Sequence, residues 1–213
     1  MAKSHESIYD VRRTPHQHRA QESVHAVLQA AAAIIEESGY EAYNTNAVAK
    51  RAGVSVALVY RYFPNKESIL IALWEREQEP RNRCVLDLIH QIPSITNFDE
   101  YGRTIIDSLR QVRKEHPSLT LVRKILPSVP EVAVLEDAAI QGCADLLNSK
   151  IKIRFPAIPE GEAAAATVNL LSLIPPLVDA TLSSMTSATE AELVESSARL
   201  LATFFKDLES RFK

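Results

Sequence analysis

The stretch NTNAVAKRAGVSVALVYRYFPNK, residues 44–66, divides into two short segments of helical periodicity joined at Gly53 and closed by Phe63-Pro64. Asn44 stands where a helix N-cap is expected, its side-chain carbonyl able to satisfy early backbone N–H groups. Gly53 tolerates the positive φ of a tight turn, Val54 supplies an apolar plug, and Ser55 can cap a following helix. That helix is expected over Val56–Phe63, because Pro64 disfavours helical geometry at the residue before it.

Working outward, Ala20, Val24, Val27, Leu28, Ala31, Ile34 and Ile35 recur at helical spacing and predict a supporting helix from Gln17 to Ser38, stopped at Gly39. Residues 1–16 are polar, with Arg12, Arg13 and His16 around Pro15, and read as a flexible basic arm. Downstream, Asn65 is a second cap, and Ile69, Leu70, Leu73 and Trp74 open a longer helix that Pro80 must kink or end. Further helices are expected from Phe98 to about Val112, from Val132 to near Phe155, from about Glu160 to Ser184 with Pro175-Pro176 inside, and from about Thr189 to Phe212. A short apolar piece, Leu119 to Leu126, lies between. No stretch alternates like a strand, and 5 glycines in 213 residues leave few hairpin turns. The expected fold is all-α.

A 46% hydrophobic, 24% charged chain can build a core. By this count no apolar run reaches the ~18 to 20 residues of a membrane span, and the N-terminus lacks a signal-peptide core, so the cytoplasm is the expected location and no membrane partner is expected. Cys84 and Cys143 stand far apart and form no CxxC, so neither a disulfide nor a metal site is expected. The net charge of -3 is unevenly spread: residues 1–66 hold 8 Lys+Arg against 6 Asp+Glu, and the remainder is acidic. A small DNA-contacting module on a larger body fits that asymmetry.

A helix that reads the major groove must be short, held by a partner helix, and small or polar at its start. Val48, Ala49, Ala52, Val54, Val59 and Phe63 can form a shared inner face. Ser55, Val56, Ala57, Leu58, Arg61 and Tyr62 are then left for the groove or its walls. Arg61 has the fork geometry for guanine or phosphate, whereas Val56, Ala57 and Leu58 suit thymine methyls. Thr45, Tyr60, Tyr62 and Lys66 are placed for phosphate, which fixes orientation and not sequence.

The run Ala-Gly-Val-Ser at 52–55, Tyr60-x-Tyr62-Phe63, Asn65-Lys66-Glu67 and Gly39-Tyr40 upstream resemble the DNA-binding domain of TetR-type bacterial transcriptional regulators. The resemblance implies phosphate contacts from Thr45, Tyr60, Tyr62 and Lys66, and base-reading positions at Asn46, Val56, Ala57 and Leu58, with Arg61 a further candidate. Asn44 replaces the usual Thr or Ser, Ala57 stands where Gly is common, and Val56 and Leu58 are more apolar than many equivalents. It further implies a three-helix helix-turn-helix domain over 17–66 and a helical ligand-binding and dimerisation domain over 67–213. The last two helices would pair with a second subunit.

A pocket for a small-molecule effector of unknown identity would lie between about Trp74 and Thr181, with Trp74, His90, Tyr101, His116, Arg123 and Asn169 as candidate lining residues. No nucleophile elbow, phosphate loop or HExxH occurs, so neither enzymatic chemistry nor a cofactor is expected. The expectation is a homodimeric repressor released from a near-palindromic operator by its effector. A DNA-binding regulator without a small ligand, and a helical enzyme or carrier, are the alternatives.

Overall fold

The computed structural model describes residues 18–116, 130–183 and 187–213. Regular structure among them is helical throughout: α1 (His18–Ser38), a 3-10 turn at Tyr40–Ala42, α2 (Thr45–Ala52), α3 (Val56–Tyr62), α4 (Lys66–Gln91), a 3-10 turn at Ile92–Ser94, α5 (Phe98–Glu115), α6 (Pro130–Arg154), α7 (Glu160–Ala180) and α8 (Glu190–Phe212). The all-α expectation holds. The basic arm, the piece Leu119–Leu126 and the candidate Arg123 lie outside the described residues.

The chain packs as two compact units, with a division inside α4 between Glu79 and Pro80. In the first unit, α1 contributes Val27, Leu28, Ala31, Ile34 and Ile35 to the core, α2 contributes Val48 and Ala49, and α3 contributes Val59. Phe63 and the first turns of α4, through Ile69, Leu70, Leu73 and Trp74, complete it. Large side chains buried this way each stabilise by about 1.5–3 kcal/mol, which holds two very short helices that would not persist alone.

In the second unit α5 and α8 form the most extensive helix pair. Phe98, Tyr101, Ile105 and Ile106 of α5 meet Ala198, Leu201, Ala202, Phe205 and Leu208 of α8, with the Phe98 and Phe205 rings stacked at 5.9 Å. Gly102 permits the approach, because a methyl group there would press into the Ala198 carbonyl oxygen. Ion pairs lace the rims, from Arg103 to Glu195, Arg110 to Glu190, and Lys206 to Asp99 at 2.6 Å. Thr189 and Glu192 start α8 with a reciprocal capping box.

Pro80 lies inside α4, which continues to Gln91, so of the two expected outcomes it does not end the helix, and Pro175-Pro176 lie inside α7 as expected. An interior proline costs ~3 kcal/mol. Burial on each side of Pro80 offsets it, through Leu73 and Trp74 before and Leu88 and Ile89 after. One expectation on apolar runs is corrected at α7, which has the length and apolar content of a membrane span, with 28% of that stretch buried. Its alanines and prolines interrupt the run of large apolar residues without making it polar.

Candidate nucleic-acid interface

Both short helices of the first unit are capped by their own side chains. Asn44 Oδ1 accepts from the Ala47 N–H at 2.9 Å, with Asn44 itself extended at φ -153°. Ser55 Oγ accepts from the Leu58 N–H at 3.1 Å. Between them Gly53 sits in the left-handed region at φ 67°, where its N–H donates to Lys50 O at 3.3 Å and the Val54 N–H donates to Ala49 O at 3.1 Å. This is a Schellman ending, and it fixes the angle between α2 and α3. Phe63 leaves the helix extended, at φ -120°, as Pro64 requires.

Arg51 ties α2 back to α1, donating to both carboxylate oxygens of Glu37 at 2.6 Å. The Arg51 hydrogen bond holds the Glu37 carboxyl below its ordinary range. Asn65 and Ser68 cap the start of α4, the Ser68 N–H donating to Asn65 Oδ1 at 2.8 Å.

The outward face of α3 carries Val56, Ala57, Tyr60 and Arg61, with Val56 36% and Tyr60 46% exposed. Asn46 on α2 and the cap Ser55 are also exposed. Arg61 is exposed and makes no ion pair among the described residues. Leu58 is half-buried against the core. Tyr62 departs from the outward placement: it is 7% exposed, because the i, i+3, i+4 rule that buries Val59 and Phe63 also turns position 62 inward. Thr45 is 9% exposed, on the buried side of the first turn of α2.

Lys66 is half-buried, its ammonium 5.0 Å from the centroid of the Tyr40 ring. Tyr40 stacks on Tyr43 at 5.8 Å, and the Tyr43 hydroxyl donates to the Lys66 carbonyl at 2.7 Å. Burial pushes the Tyr43 phenol well above its ordinary value, so it stays a protonated donor. Sequence reading used Tyr40 only as part of a motif and overlooked Tyr43. The signal was two aromatics, three apart, just before a cap.

The residues expected to line an effector pocket are divided between the two units. Trp74 is buried in the core of the first unit, and His116 there has Nδ1 3.2 Å from Glu77 Oε2. His90 and Asn169 are exposed on α4 and α7. Tyr101 is buried, donates to Leu88 O at 2.7 Å, and has its phenol pushed up by burial, which describes a satisfied core residue. Among the described residues no three His, Cys, Asp or Glu side chains group to hold a metal.

Residues 27–73 match the family described as bacterial regulatory proteins, tetR family. The chain is 30% identical over 139 residues to the HTH-type transcriptional repressor KstR of Mycolicibacterium smegmatis, 64% of this chain and 63% of that one. It is 41% identical over 51 residues to the fatty acid metabolism regulator protein of Bacillus subtilis, 24% of this chain and 26% of that one. It thus spans less than two thirds of the length of these curated relatives. In fold it is similar to the fatty acid degradation regulator FadR from Bacillus halodurans, with a TM-score of 0.61 at 21% identity over 89% of this chain and 97% of that one.

Proposed function

We propose that the chain, whose residues 27–73 match the tetR family of bacterial regulatory proteins, is a homodimeric repressor released from a near-palindromic operator by a small molecule. The observation that carries the reading is the α3 face: Val56, Ala57, Tyr60 and Arg61 stand outward on a seven-residue helix fixed by a cap, a Schellman turn and a buried inner face. Arg61 supplies a directional contact to guanine, and Val56 and Ala57 supply apolar contacts to thymine methyls. Asn46, Ser55 and Leu58 flank the reading face. Tyr60 and Lys66 anchor phosphate, with Thr45 and Tyr62 contributing less because their side chains are mostly buried.

Residues 17–66 read DNA, and residues 67–213 sense and pair. A second copy covers α7 and α8, whose outer faces carry Val168 at 61%, Leu173 at 47% and Leu200 at 59% exposure. A face so apolar on a helix only 28% buried is better matched to another protein surface than to water. Twofold pairing places two α3 helices about 34–36 Å apart, one turn of DNA. Of the sequence relatives, one is named a repressor and one for fatty acid metabolism, so fatty acids and their derivatives are the first effectors to screen. Such a regulator works where the DNA is, in the cytoplasm.

Release requires the effector to bind the two conformers with different affinity. A metabolite screen by thermal shift, with each hit tested for release of a selected duplex, checks the reading. Hits that stabilise the chain without weakening DNA binding would remove the effector from the proposal and leave the DNA-binding part standing.

A further inference from the structure

Lys66 begins α4, and a cation in the first turn of a helix opposes the helix dipole. No ion pair to Lys66 is found among the described residues, and Glu67 beside it is the first-turn carboxylate that complements the dipole. Its ammonium lies instead over the Tyr40 ring, at 5.0 Å. Tyr40 is itself held by stacking on Tyr43, whose ring is 2% exposed and whose hydroxyl bonds the Lys66 carbonyl. Two neighbouring aromatics therefore fix one residue twice: Tyr43 fixes its backbone and Tyr40 its side chain. A lysine held this way has already lost much of the rotamer freedom that it would otherwise lose on meeting a phosphate. A helix N-terminus also favours an arriving phosphate.

We propose that Tyr40 is a positioning residue for DNA binding, pre-ordering the Lys66 ammonium against its ring so that the phosphate contact forms at lower entropic cost. This rests on the DNA-binding reading above. Tyr40 touches no phosphate and acts through Lys66 alone.

The test is a double-mutant cycle on a duplex selected from random sequence by the wild-type chain. Tyr40→Leu is expected to weaken binding about three- to tenfold, and Tyr40→Phe to keep near-wild-type affinity because the ring face remains. In a Lys66→Ala background Tyr40→Leu is expected to cost nothing further. Equal losses from Tyr40→Leu in both backgrounds, or a Phe variant as weak as Leu, would overturn the proposal and assign Tyr40 a purely structural role. Should Leu unfold the domain, the ε-methylene proton shifts of Lys66 in the free wild-type chain carry the test. Upfield ring-current displacement is expected, and random-coil positions would overturn it. A wild-type chain that selects no duplex at all contradicts the DNA reading itself, and the ring-current arm then still decides whether Tyr40 orders Lys66.

Discussion

Tyr43 donates its hydroxyl hydrogen to the Lys66 carbonyl oxygen at 2.7 Å, joining residues 23 positions apart in sequence. The bond ties the segment that enters α2 to the residue that starts α4, within the first unit. Tyr43→Phe keeps the ring and removes the donor. The loss expected is about 1 kcal/mol, read as a lower urea midpoint at unchanged slope. An unchanged midpoint would mean that water replaces the bond without penalty.

The caps of the reading module give a second expectation. Asn44→Ala and Ser55→Ala each remove the side-chain acceptor for an early helical N–H, from Ala47 and Leu58. Each should cost about 1 kcal/mol. Replacement of either by Asp should retain most of the stability, since Asp caps as well as Asn. Chemical denaturation of the single variants checks both statements.

Two glycines, both helical and free of positive φ, should respond in opposite directions to alanine. Gly102 faces the Ala198 backbone across the α5–α8 contact, whereas a methyl on Gly142 of α6 meets nothing within 4 Å. Gly102→Ala should destabilise by roughly 1–3 kcal/mol through forced separation of the helices. Gly142→Ala should stabilise by about 0.5–1 kcal/mol through helix propensity. Thermal unfolding of the pair reads both signs in one experiment.

Acid should destabilise the chain through its surface carboxylates. Hydrogen bonds from Lys114 and Arg110 lower Glu190, the Thr189 N–H lowers Glu192, and Arg154 lowers Glu209, each from an ordinary 4.5. A folded-state value below the unfolded one gives stability that is present above pH 4.5 and lost as the pH falls through the lowered values. The thermal midpoint should therefore hold steady down to about pH 5 and fall below it. Glu190→Gln should lower the neutral-pH midpoint slightly and flatten the acid decline. Because these groups are exposed, the effect should shrink in high salt.

Much of the first unit was legible in the sequence because its signals are local. Asn44, Gly53, Ser55 and Pro64 each dictate a backbone event within a few residues, and each event is found. The inner face follows from periodicity, apart from Tyr62, which periodicity left for the groove or its walls and which is 7% exposed. Long-range partners were not legible. Nothing near Tyr43 announces Lys66, and nothing near Gly102 announces Ala198. Whether Pro80 kinks or ends its helix was not legible from local rules; α4 runs through it to Gln91, and α7 runs through Pro175-Pro176 as expected. Hydrogen-bond partners of the pocket candidates were not legible either, as with the Tyr101 hydroxyl, which donates to Leu88 O.

Selection of bound duplexes from a random pool by the full chain tests the central claim most directly. The expected product is a near-palindrome whose half-sites are centred about one helical turn apart, ~10 bp. Each half-site should have thymines facing Val56 and Ala57, and its guanine preference should be lost in Arg61→Ala. Enrichment of no sequence, or of a single asymmetric site unaffected by Arg61→Ala, would contradict the account.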